Sequence, residues 1–309
     1  MFRRALFLLL ILVAPGWAHA VDSLGKIPVQ DLGRIKPFES FARESLQLLY
    51  GKQTYKLHQK TSDGDEITVG READEVIFTM MFLPEVWAEQ NIIVIDNRSL
   101  KQALQVDPEQ KYFNFSALIT NPRVGLLVRE LEGRVSRKEQ LDGFSRAVQN
   151  LNNQLTLMNA IMAQRAVQVV PPPEGSESDR WLSVAELNDE DKEAFTNIFM
   201  TVAKNTPKEP GKKFSKEGNQ EVLKSVMAFV EHVKAKHGEY YPSGEIKAEL
   251  WLHGFQPFLW AWVLYLIGAF LLLFAWMGEN KKILFIGLGN FYCCSLCFTR
   301  WVFWFASTS

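Results

Sequence analysis

The side chains able to do chemistry are few and scattered. There are three cysteines, Cys293, Cys294 and Cys297, and five histidines, His19, His58, His232, His237 and His253. Cys294-x-x-Cys297 has thiol-redox spacing, but that chemistry needs a partly exposed, low-pKa thiolate, and this pair lies inside an apolar run. Phe298 follows Cys297, so the pair is not a c-type haem attachment site, which needs His there. The cysteines read as small apolar filler; a thiol oxidoreductase is the alternative. His232 and His237 are five positions apart, off the i,i+4 spacing that sets two metal ligands on one helix face. His253 stands in Trp251-Leu252-His253-Gly254-Phe255, where an imidazole could ligate a haem iron or simply hydrogen-bond at a membrane interface. There is no nucleophile elbow, no phosphate-cradling glycine loop and no His-Glu-x-x-His, so no catalytic residue and no metal site is assigned.

A denser constellation lies near the start of the exported region. Arg34, Lys36 and Arg43 are set among Gly33 and Pro37, with Glu39 and Glu44 close by. Three cations on a glycine- and proline-shaped loop could bind a carboxylate or an acidic partner. Structurally, Arg34 or Arg43 could instead pair with Glu39 or Glu44. Gly33, Arg34, Lys36, Pro37, Arg43 and Glu44 are therefore candidates for a partner contact or a structural clamp.

The chain that positions them has 309 residues and a formal net charge of -1. This balance argues against nucleic-acid binding, which usually needs a basic excess. The apolar residues concentrate at the two ends. Arg3 and Arg4, an apolar run from Ala5 to Ala14, and Ala18-His19-Ala20 form a secretory signal over residues 1–20, too short to span a bilayer. Near the other end, residues 257–277 contain Phe258 to Met277 without a charge, long enough at about 1.5 Å per residue to cross about 30 Å of hydrocarbon. Lys281 and Lys282 follow, on the side the positive-inside rule assigns to the cytoplasm. Residues 283–307 are a candidate second span. The exported region has no cysteine, so its stability must come from its core.

Residues 21–256 read as mainly α with a few short strands. Pro28, Gly33 and Pro37 keep Lys26 to Glu44 turned or extended, and a helix is expected over Phe38 to Tyr50. Asp63-Gly64-Asp65 suggests a hairpin within Lys52 to Arg71. A helix is expected within Ala73 to Gln90, ending near Pro84 or restarting after it, and further helices over Pro122 to Arg134, Gly143 to Ala166, Glu186 to Lys204 and Gln220 to Lys236, with short strands over Asn91 to Asp96 and Lys111 to Phe115. Phe144, Val148, Leu151, Leu155, Met158, Ile161 and Met162 fall on one stripe at spacings of three and four, as a core-facing stripe does. Ser183 to Glu186 has the capping-box pattern, and Pro171-Pro172-Pro173 marks residues 169–180 as a linker.

The stretch Ile27-Pro28-Val29-Gln30-Asp31-Leu32-Gly33-Arg34-Ile35-Lys36-Pro37-Phe38-Glu39-Ser40-Phe41-Ala42-Arg43-Glu44 resembles the start of the extracytoplasmic region of CcsA/ResC-type (system II) cytochrome c biogenesis proteins. Ile246-Lys247-Ala248-Glu249-Leu250 and the Trp/Phe-rich Pro257 to Met277 are similar to that family's passage into its first membrane span. The family's WWD-type haem signature and flanking histidines are missing; Trp301 and Trp304 do not reproduce them. The resemblance implies a component of a haem delivery and attachment complex on the extracytoplasmic side of the cytoplasmic membrane. Its partners would be the membrane, apocytochrome c, and a CcsA/ResB-type subunit or a missing continuation of the same chain. Haem would belong to the complex, and this chain would not catalyse attachment alone. The change of character after Asn290 suggests either an aberrant tail from a frameshift or split gene, or a naturally short subunit. The competing expectation is a membrane-anchored extracytoplasmic scaffold or sensor unrelated to haem.

Overall fold

The computed structural model describes residues 23–60, 66–173, 176, 178–206, 215–238, 261–263 and 265–270, with the side chains of 57–60, 66 and 67 outside the description. A short 3-10 turn, Leu24–Lys26, leads into β1 (Pro28–Asp31) and β2 (Arg34–Pro37). Helix α1 (Phe38–Tyr50) follows without a break, because Pro37 already has the extended backbone of an N-cap residue. Gly51, at φ +76°, ends it, and its N–H donates to the Gln47 carbonyl. β3 (Thr54–Lys60) and β4 (Glu66–Glu72) form an antiparallel hairpin.

The apolar stretch after β4 ends one helix before Pro84 and starts another there, α2 (Ala73–Phe82) and α3 (Pro84–Ala88). Pro84 has no N–H to continue the first, and Leu83 leaves helical geometry. β5 (Ile93–Val94) pairs with β6 (Tyr112–Phe113) across α4 (Arg98–Leu104), and α5 (Phe115–Thr120) runs into α6 (Pro122–Ser136). α7 (Gly143–Met162), β7 (Gln168–Val170), β8 (Leu182–Ser183), α8 (Asp189–Asn205) and α9 (Lys216–His237) complete the described elements. From α4 to α9 each helix starts on a side chain that accepts an orphan N–H: Asn97, Asn114, Asn121, Asp142, Asn188 and Ser215. The Ser183–Glu186 capping box is present, but it caps a 3-10 turn; the long helix starts after it, at Asn188.

The core joins α1, α2, α7, α8 and α9. A ladder of rings runs through it, Phe38 to Phe78 at 6.1 Å, Phe78 to Phe195 at 5.7 Å and Phe195 to Phe229 at 5.3 Å. Edge and tilted contacts of this kind add to area burial at each step. The stripe expected on α7 is buried at Val148, Leu151, Leu155, Met158 and Ile161. Residues 169 and 170 belong to the core: β7 sits between β1 and β8 in a four-stranded sheet of order β2-β1-β7-β8, with Val169 and Val170 fully buried.

The described residues are mostly helical with a few short strands, and the expected membrane helices are corrected: no helix among the described residues is long and apolar enough to cross a membrane. α7 and α9 have the length, but their polar faces are wrong for lipid; α9 carries Lys216, Glu217, Glu221, Lys224, Glu231, Lys234 and Lys236. Of residues 257–277 only 261–263 and 265–270 are described, as helix, and these are too few to span. Residues 1–20, His253, 283–307 and all three cysteines lie outside the described residues.

Candidate functional site

The hairpin and helix from 27 to 44 form one unit. Leu32 and Gly33 make its two-residue turn, with φ of 51° and 81°. Positive φ at both positions is the type I′ pattern, whose twist matches that of paired strands. Gly33 adopts it freely, whereas a leucine pays for the left-handed region. Leu32 is also 100% exposed, so nothing in the domain repays that cost. At the open end of the hairpin, the Phe38 N–H donates to the Ile27 carbonyl at 2.8 Å.

Lys36 holds this unit together from within. Its Nζ lies 2.8 Å from Asp31 Oδ2 and 2.5 Å from Glu44 Oε2, and 5.7 Å from the centre of the Phe41 ring. The residue is buried. Burial alone would push its pKa down, but the hydrogen bonds it donates to Asp31 and Glu44 outweigh it and hold the ammonium above the ordinary lysine value. Arg43 is used locally, 2.6 Å from Glu39 one helical turn back. Arg34, Leu32 and Gly33 stand exposed at the tip. The candidates thus divide: Lys36 and Glu44, with Asp31, form an internal clamp; Pro37 starts the helix; Gly33 and Arg34 face solvent. A second anchor fixes the sheet. Gln30 accepts from the Trp181 N–H at 2.8 Å and donates to the Asp179 carbonyl at 3.0 Å.

Three further features were not found from the sequence. Asp74, in the first turn of α2, is buried, and burial drives its carboxyl up to about 8. The Glu75 N–H donates to it at 2.9 Å, which opposes the rise, while the charges of Glu39, Glu72 and Glu75 reinforce it. Next, Asp191 of α8 is buried and is met by His232 Nε2 at 2.7 Å and Lys236 Nζ at 2.8 Å from α9; Lys236 also reaches Glu190 at 2.6 Å. Glu190, Asp191 and His232 could in principle surround a cation. The Lys236 ammonium already bonds both carboxylates, so the group reads as an ion-pair lock between two helices.

The third feature is a cavity of about 480 Å³ between α2, α3 and α8. Val76, Leu83, Val86, Trp87, Phe199 and Val202 make most of its wall, and Arg71 and Glu75 stand together at one side. Such sparse polar groups in an apolar pocket are typical of small-molecule sites. No His, Cys, Met or Tyr lines it. Of the other histidines among the described residues, His58 lies on β3 and His237 ends α9. The residues lining this cavity do not compose an axial ligand set for haem.

No family model matches the chain, and no curated protein matches it.

Proposed function

We propose that the chain is an extracytoplasmic component of a system II cytochrome c biogenesis complex, acting on the outer side of the cytoplasmic membrane as a holding or docking subunit. One observation carries the reading: the residues similar to CcsA/ResC-type proteins, 27–44, fall on a single clamped hairpin and helix rather than on unrelated pieces of the fold. Within that stretch buried Lys36 centres the clamp with Asp31 and Glu44. The exposed turn residues Leu32, Gly33 and Arg34 form a tip suited to touch a partner subunit or apocytochrome c. In such a complex, haem vinyl groups are joined to the CxxCH thiols of the apocytochrome. No step of that chemistry is assigned to this chain.

The test is reconstitution. The chain is expressed with a Trp-rich CcsA-type subunit and an apocytochrome c in bacteria lacking their own cytochrome c assembly, and covalent haem is followed by peroxidase staining after denaturing electrophoresis. Holocytochrome that depends on the chain, and falls with Leu32→Asp, is the expected result. Equal holocytochrome with and without the chain overturns the reading in favour of a scaffold or sensor unrelated to haem.

A further inference from the structure

The cavity beside Trp87 is built more deliberately than a packing defect. Arg71 Nη1 bonds Glu75 Oε1 at 2.5 Å, and both side chains are largely buried. One turn further along α2, the Thr79 hydroxyl donates to the Glu75 carbonyl at 2.7 Å and accepts from Trp87 Nε1 at 3.1 Å. The indole is thereby fixed as a wall of the cavity before any ligand arrives. Phe82 and Phe199 stack at 4.3 Å, which stiffens the opposite wall on α8. Leu83 and Val86 remain exposed at the rim.

The charge pattern restricts the ligand. A bare carboxylate that took Arg71 would leave Glu75 buried without its partner; a bare cation that took Glu75 would strand Arg71. A zwitterion compensates both. In an α-amino acid the two charged groups are separated by a single carbon, which suits two protein charges already in contact. The remaining volume lies against apolar side chains and the indole face, and so asks for a large apolar side chain.

We propose that this cavity is a binding site for a free α-amino acid with a large apolar side chain, its carboxylate on Arg71 and its ammonium on Glu75. This goes beyond the cytochrome reading and does not depend on it.

Equilibrium dialysis of the full chain against radiolabelled L-phenylalanine tests it. Saturable one-to-one binding is expected, with unlabelled N-acetylphenylalanine and phenylalaninamide competing at least tenfold more weakly than phenylalanine, since each lacks one charge. Ala203→Trp fills the cavity from an exposed position and is expected to abolish binding. The paired change Arg71→Met with Glu75→Met replaces the ion pair by apolar bulk and is expected to do the same; thermal melts confirm that each variant folds. Absence of phenylalanine binding overturns the proposal. So does equal competition by the two capped compounds, or binding that survives in folded Ala203→Trp and in the double variant.

Discussion

The Lys36 ammonium meets the Glu44 carboxylate at 2.5 Å across the junction of β2 and α1, with Asp31 completing the clamp from β1. Three segments of the resemblance stretch are thus tied by one buried cation. Glu44 is mostly exposed, so the pair is worth less than a fully buried one. Lys36→Ala is expected to destabilise the domain by about 2 kcal/mol, since it leaves Asp31 without its partner and uncovers the Phe41 ring. Lysine stabilisation of this kind is present below the ordinary value of 10.5 and is lost as pH rises through the elevated native value. Urea melts of the parent and Lys36→Ala between pH 7 and pH 11 should therefore differ by a constant amount until pH passes the ordinary lysine value of 10.5, where the gap begins to narrow. A gap that is absent at neutral pH would remove the clamp.

Leu32 carries the opposite expectation. It occupies the left-handed region at φ 51° and makes no compensating contact, being 100% exposed. Asn followed by Gly is the favoured sequence of a type I′ turn. Leu32→Asn should stabilise the domain by about 0.5–1 kcal/mol. In the reconstituted complex the same variant should lower holocytochrome, because the apolar tip is gone. A stability gain without a functional loss would mean that the tip contacts nothing.

Which parts of this were readable in the sequence follows from the range of the interactions. The long helices were, because a 3.6-residue period is local; Val222, Val226, Phe229 and Val233 of α9 are buried as their spacing demands. Strand β7 was not. Beside three prolines, residues 169 and 170 look like the start of a linker, and they are strand because β1 and β8 lie on either side, with Gln30 and Ser183 opposite Gln168 and Leu182 opposite Val170. The basic cluster was visible as composition, but its division into one buried clamp and an exposed tip needed the hairpin register, which sets Asp31 opposite Arg34 and Val29 opposite Lys36. The contact of His232 was not readable because its partner Asp191 is 41 positions away on another helix. The cavity was invisible for the same reason: its walls come from segments near residues 71–90 and 199–206. Hydropathy alone suggested membrane spans, and no described helix meets that expectation.

The Asp191 lock should be a stability element. Burial raises its carboxyl, but hydrogen bonds from Lys236 and His232 dominate and hold it below the ordinary value of 3.8. A depressed carboxylate contributes stability above its unfolded value and loses it as pH falls through the native value, so this contribution is intact at neutral pH and fades only below about pH 4. Asp191→Ala removes the partner of His232 and leaves Lys236 with Glu190 alone. A loss of roughly 3 kcal/mol at pH 7 is expected from such a break, with amide exchange quickening along α8 and α9 before it does in α7. A uniform change across all helices would show that the two helices are not locked through this residue.

Asp74 should work in the other direction. Its native value of about 8 lies far above the ordinary 3.8, chiefly because the carboxyl is buried. Between those two values the folded chain holds a proton that the unfolded chain releases. The contribution of Asp74 to stability is therefore greatest below about pH 4, falls by up to about 1.4 kcal/mol per pH unit through the interval, and levels off above pH 8. Asp74→Asn keeps the acceptor for the Glu75 N–H and abolishes the titration. The variant should match the parent near pH 4 and exceed it by several kcal/mol at pH 9. Glu75 is also raised, by burial that outweighs its bond to Arg71, so a smaller slope of the same sign will persist in the variant. Urea unfolding midpoints of parent and Asp74→Asn from pH 4 to pH 9 decide the matter. Parallel curves would show that this carboxyl is solvated and titrates normally.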